Sequence, residues 1–176
     1  TGTIRVLSGA LVATDSGLIT VIAGAATTVR VEAAADGSGN AAVAAQNLTS
    51  GSTLTVYAIS RDAAGNFVAN VASDVGVDGW TLVGEAGPVE ADLVDGGDRK
   101  SAVLTGVLIG TGTIRVLSGA LVATESGIIT VIAGAATTVR VEAAADGSGN
   151  AAVAAQNLTS GSTLTVYAIS RDAAGN

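Results

Sequence analysis

The 176-residue chain has no cysteine, no histidine and no methionine, a single proline, and four aromatic residues in all. Each absence removes chemistry. Without Cys or His there is no thiolate nucleophile, no Ser-His-Asp relay, no zinc site of the usual type and no haem ligation. The lack of cysteine is compatible with both oxidising and reducing compartments, because a domain with enough core does without disulfides. Long hydrophobic runs are also missing. The longest apolar stretch, residues 18–26, is interrupted by Thr20 and Gly24, far short of the roughly 18 residues that would span a bilayer as a helix. No membrane span is expected, and no signal-peptide pattern is visible. Bases are scarce, with 8 Lys and Arg against 15 Asp and Glu.

What the chain does have is repetition. Residues 1–66 recur at 111–176 with two changes, Asp15 to Glu125 and Leu18 to Ile128. The period is 110 residues, an ordinary domain size, and the chain is expected to be a window cut from a tandem array that begins and ends in mid-pattern. One period, 24–133, holds 11 acids and five bases, a net charge of −6. An array of such units is a polyanion, which disfavours nucleic acid and anionic lipid as partners and favours solubility.

The local pattern is β throughout. Thr28-Val29-Arg30-Val31-Glu32, residues 53–59 and Thr113-Ile114-Arg115-Val116 alternate polar and apolar at period two and are rich in β-branched residues, as half-buried strands are. Clusters such as residues 36–40, 49–52, 95–98 and 110–112 combine Gly with Asp, Asn, Ser or Thr, the residues that turns require. The strands predicted are 28–32, 41–45, 53–60, 79–83, 88–93, 101–108, 112–118 and 127–132. Seven or eight strands per 110-residue period read as an all-β, Ig-like β-sandwich. The complete repeat is expected at 24–133, with 1–23 as the C-terminal strands of a preceding repeat and 134–176 as the N-terminal strands of a following one. Trp80, the only tryptophan, is expected in the core beside Leu54, Val56, Val103 and Ile114.

The run from Leu54 to Val68, containing Arg61-Asp62-Ala63-Ala64-Gly65-Asn66, is followed by the Trp80 strand and by Gly110-Thr111-Gly112-Thr113-Ile114-Arg115-Val116. Over the full period this resembles the bacterial Ig-like domains of the Big-1 type, found in invasin and intimin relatives and in large repetitive surface proteins. Phe67 stands where that family tends to have proline, and Asp98-Arg99-Lys100-Ser101 where it tends to have a further Asp-x-x-Gly turn. The resemblance implies an Ig-like sandwich in an extracellular or cell-surface protein.

The Asp62 signature also has a reading of its own. Its carboxylate can accept the amides of Ala64 and Gly65, Gly65 can take the left-handed conformation, and Asn66 can close the turn. That makes it a turn staple, with no metal or cofactor required. The alternative is calcium, for which the candidates are Asp62, Asn66, Asp95 and Asp98, and which needs six to eight oxygens drawn from several loops. Glu85, Glu90, Asp92, Asp95 and Asp98 form an acidic stretch. It reads as a solvated edge that discourages strand-to-strand aggregation, against the alternative of a glycosidase acid and base. Asn47-Leu48-Thr49 and Asn157-Leu158-Thr159 match the N-glycosylation sequon.

Because 64 of 66 compared positions are identical, successive units present the same surface. That suits a spacer, fibre or multivalent scaffold better than a single active site. The expected function is therefore structural and non-enzymatic: a stalk, surface filament, sheath or S-layer-like array whose partners are neighbouring repeats or further copies. The alternatives are an adhesin or ligand-binding module, for which Tyr57, Phe67 or Trp80 would supply the contact, and an accessory module of a secreted enzyme.

Overall fold

The computed structural model describes residues 1–76, 79–88 and 92–176. The described chain is all-β, with twelve strands. They are β1 (Ala26–Glu32), β2 (Gln46–Thr49), β3 (Thr53–Asp62), β4 (Phe67–Asn70), β5 (Trp80–Ala86), β6 (Leu93–Asp95), β7 (Ser101–Thr105), β8 (Gly110–Val116), β9 (Val122–Thr124), β10 (Ile128–Ile132), β11 (Thr138–Glu142) and β12 (Tyr167–Arg171).

Ten of these strands build two sheets. The first has the order β6-β7-β3-β1-β9, with β4 paired to the far half of β3, and the second has the order β2-β10-β8-β5. Alternation decides which side chains lie between them. Val29 and Val31 of β1, Val56 and Ala58 of β3, and Ala102 and Leu104 of β7 meet Leu48, Leu82, Ile114, Val116 and Ile129 of the second sheet in one core. The ladders are antiparallel except at two places: β9 runs parallel to β1 and β2 runs parallel to β10.

Trp80 lies in this core, opposite Val116 across the β5–β8 pair, and its indole N–H donates to the carbonyl of Arg99. Leu54, Val56 and Ile114 belong to the same cluster. Val103 does not. It is one residue out of phase with the buried Ala102 and Leu104 and pairs with exposed Val94. A one-residue slip in period two moves a side chain to the opposite face.

Two expected strand positions differ, and two strands form that were not expected. No strand forms at 41–45, where Val43 instead crosses between the sheets, its N–H on the Val31 carbonyl and its own carbonyl accepting from Gly127. The strand comes three residues later, at Gln46–Thr49, where β10 offers a partner. A Cβ at Gly127 would overlap the backbone of Ala44 and Ala45, so this crossing depends on glycine. Strands β4 and β9 were not expected. Each is only three or four residues long and exists through its partner, β3 or β1. The expected strand at 88–93 falls partly on residues 89–91, outside the described set, and β6 begins at Leu93.

The segments on either side contain the same sequences with fewer partners. Residues 1–23 form a loose hairpin with bridges Gly2 to Ile19 and Arg5 to Asp15, and the Ile4 amide bonds the Ser16 hydroxyl as the Ile114 amide bonds Ser126. In 134–176, β11 and β12 pair in the register of β1 and β3: Thr138 faces Arg171 as Thr28 faces Arg61.

Candidate functional site: a repeated turn at the joint between units

Strand β3 ends in the turn Asp62-Ala63-Ala64-Gly65-Asn66. One carboxylate oxygen of Asp62 accepts the amides of Ala64 (3.0 Å) and Asn66 (2.8 Å). The other accepts the Gly24 amide (2.8 Å) and the side-chain amide of Asn66 (3.0 Å). Gly65 is left-handed, with φ of 85°, and its N–H goes to the Asp62 carbonyl rather than to the carboxylate. Hydrogen bonds that favour the ionised form, that of the Asn66 side chain first and those of the Gly24 and Asn66 amides next, hold the Asp62 pKa at about 2. The staple therefore does more than close its own turn, because through Gly24 it fixes the chain entering β1.

Beside the turn lies a buried ion pair. Arg61 donates from Nε to Glu32 Oε1 and from Nη2 to Glu32 Oε2, both at 2.6 Å. It also donates to the carbonyls of Gly37 (2.7 Å) and Gly65 (3.0 Å). Both side chains are almost fully buried. The bidentate fork ties β1, β3, the 33–40 loop and the turn together. Gly37 is left-handed (φ 67°) and lies under the Phe67 ring, with no room for a Cβ. The register, Thr28 with Arg61 and Glu32 with Tyr57, puts the two residues four positions apart along the ladder, roughly 13 Å, and the side chains span that distance to meet at their ends. The sequence signal was a glutamate continuing an apolar alternation 29 residues before an arginine, which names no partner by itself.

The same constellation recurs one period later. Arg171 is bidentate to Glu142, at 2.9 and 2.6 Å, and also donates to the Gly147 carbonyl. The Asp172 carboxylate accepts the amides of Gly134, Ala174 and Asn176. The Gly134 amide, followed by the Asn176 side chain, pushes its pKa far below the usual carboxylate range. Here the turn has further partners. The Asn176 side-chain amide donates to Ser50 Oγ (3.0 Å) and to the Val107 carbonyl (2.7 Å), and its oxygen accepts the Ile109 amide (3.1 Å). Ser50 in turn donates to the Val107 carbonyl. The turn at residues 172–176 is thus bonded to the 50 and 107–109 loops at the end of the sandwich.

The remaining singled-out residues are dispersed. Asp95 and Asp98 cap their own hairpin, accepting the amides of Gly97 and Lys100. Their hairpin reaches β3 at the level of Val56 and Tyr57, five residues from Asp62, roughly 16 Å along an extended strand. The four calcium candidates therefore do not converge, and the Asp62 carboxylate faces N–H donors where a cation would need oxygens. Glu85 and Asp95 are exposed on β5 and β6, each at the edge of its sheet. Glu90 lies outside the described residues. Of the aromatic residues, Trp80 is in the core, Phe67 lies against Gly37 and Tyr57 is half-buried on β3. Asn47 is exposed on strand β2, not in a loop, and Asn157 is exposed outside the strands. No protein-family model matches the chain, and no curated protein is similar to it in sequence.

Proposed function

We propose that the chain is a structural, extracellular or cell-surface repeat module in which Ig-like sandwiches are joined end to end into a stiff spacer, filament or sheath. The observation that carries this reading is the joint. Asn176 bonds Ser50, Val107 and Ile109 across the boundary while Asp172 anchors Gly134, so the linker at 133–134 is clamped from both sides. A flexible tether between independent domains needs no such bonds. The strand order supports the Ig-like part of the proposal. β1-β3-β7-β6 follows the order A-B-E-D of an Ig sandwich, and β10-β8-β5 follows G-F-C, with β2 added parallel to β10.

Solution scattering of the wild type and of a Ser50→Ala, Asn176→Ala double variant tests the proposal. The wild type should fit one extended shape, and the variant should give a broader distribution of distances. Identical profiles from the two proteins would contradict a joint that stiffens the chain.

A further inference from the structure

Arg30 alternates with the fully buried Val29 and Val31 and so turns away from the core, onto the outer face of the first sheet. There it lines an open cavity of about 440 Å³ with Asn40, Arg61, Phe67 and the 64–66 turn. Most of these walls are fixed. Arg61 is held by Glu32, Gly37 and Gly65, the Phe67 ring lies on Gly37, and Asn40, left-handed at φ 47°, donates its amide to the Gly37 carbonyl. Arg30 is different. It is half-buried, yet it has neither an ion pair nor a hydrogen bond to any described residue. The carboxylates nearby do not offset it. Glu32 is taken by Arg61, Asp62 is surrounded by N–H donors, and Asp36, which accepts the Ser38 amide, does not line the cavity. An unpaired guanidinium fork in a preformed cavity is the group that recognises a carboxylate at two points.

Attachment to a neighbouring unit leaves this place open. At residues 134–176 the end loops of the sandwich grip the side chain of Asn176, the copy of Asn66. Arg140, the copy of Arg30, hydrogen-bonds only the Asn150 carbonyl of its own segment among the described residues. A unit attached to the Asn66 turn in the same way takes the Asn66 side chain and leaves Arg30, Asn40 and Phe67 to a ligand.

We propose that this cavity binds an acidic sugar of the uronic-acid type, carried on a glycan whose carboxylates are widely spaced. Arg30 donates two parallel N–H bonds to the sugar carboxylate, the Asn40 side-chain amide meets a ring hydroxyl, and the exposed part of the Phe67 ring, 37% accessible, packs against the C–H face of the sugar. The volume lies at the small end of the range for ligand sites, which suits one sugar unit. The lining, two guanidinium groups and two carboxamides beside one ring, suits a hydroxylated ligand better than an apolar one. A dense polyanion is disfavoured, because the 11 acids and five bases of each period repel it at long range. One fork in an open cavity gives an affinity of about 1–10 mM, and repetition along an array raises the avidity by about 10²–10⁴. The inference goes beyond the spacer reading and does not rest on it, since the site lies within one sandwich.

Phe67 is the only phenylalanine, so its ring resonances report this cavity without overlap from the repeated segment. Titration of the full chain with glucuronate, followed by NMR of that ring, should give a saturable shift with a Kd in the millimolar range. Glucose and acetate, which carry the ring and the carboxylate separately, should each bind at least about fivefold more weakly. Arg30→Ala should weaken glucuronate at least about tenfold, and Arg30→Lys, which keeps the charge and loses the fork, should fall between. Because Arg30 has no partner in the fold, both variants should melt as the wild type does, which separates lost binding from lost folding. No shift with glucuronate up to about 50 mM, binding of acetate or glucose as tight as that of glucuronate, or an Arg30→Ala chain that binds as the wild type does would overturn the proposal. Acetate binding as tightly as glucuronate would mark a bare carboxylate site, open to acidic peptides as much as to sugars.

Discussion

Ile4 and Ile114 sit in the same local sequence, Thr-Gly-Thr-Ile-Arg-Val, and differ only in what covers them. Ile114 is 0% exposed in the core, across from Leu82, whereas Ile4 is 66% exposed on the terminal hairpin. Ile114→Ala removes three buried carbons and leaves a cavity between two sheets that relax little. The cost of such a truncation is about 2–5 kcal/mol. In a sandwich of this size each kcal/mol lowers Tm by about 4 °C, so a fall of roughly 8–20 °C is expected. Ile4→Ala removes the same atoms from a side chain already in water and should cost less than about 0.5 kcal/mol, under roughly 2 °C. Thermal melts followed by Trp80 fluorescence in dilute solution make the comparison, because the single tryptophan reports the sandwich and not the ends. Equal shifts from the two substitutions, or none from Ile114→Ala, would refute the assignment of Ile114 to the core and of Ile4 to the surface.

Arg61→Ala should strand the Glu32 carboxylate without a partner in the interior and destabilise the sandwich by about 3–5 kcal/mol, read by urea titration at neutral pH; a change below 1 kcal/mol would show the pair to be dispensable. Asp62 has a folded pKa of about 2 against an ordinary 3.8, so its contribution is complete above the ordinary value and is lost as pH falls towards 2. Tm should therefore drop between pH 4 and pH 2 more steeply in the wild type than in Asp62→Asn, and parallel curves would be the contrary result. Because four N–H donors surround that carboxylate, a chelator should move Tm by less than about 5 °C, equivalent to roughly 1 kcal/mol; a larger fall reversed by added calcium would favour the ligand-binding alternative. Val103→Ser should be tolerated and Leu104→Ser should not, since only Leu104 points inward.

Period-two alternation was enough to find β1, β3, β5, β8 and β10, because each has a long edge of β-branched or leucine side chains turned into one core. It failed where a strand exists through its partner alone. The tripeptide Val122–Thr124 and the shift from 41–45 to Gln46–Thr49 depend on parallel pairing with segments about 80 to 95 residues away, and nothing local announces that. The staple at Asp62 was legible because Asx chemistry is local, spanning four residues. Its long-range donor, Gly24, was not, and neither was the use of Asn176 to grip Ser50 and Val107. The Glu32–Arg61 pair stayed hidden for the same reason, since a charged residue within a strand pattern reads as a solvated face until the register and the covering loop are known.

The central claim is that identical sandwiches are joined stiffly enough to act as a spacer, and its most direct test is length. Chains extended by one and by two further 110-residue periods should show, by small-angle scattering, a maximum dimension that rises linearly. The increment should be roughly 35–45 Å per period, the length of a ten-residue strand with its end loops. A maximum dimension that grew only as the square root of the number of periods, as freely jointed beads do, or that did not grow at all, would contradict the account.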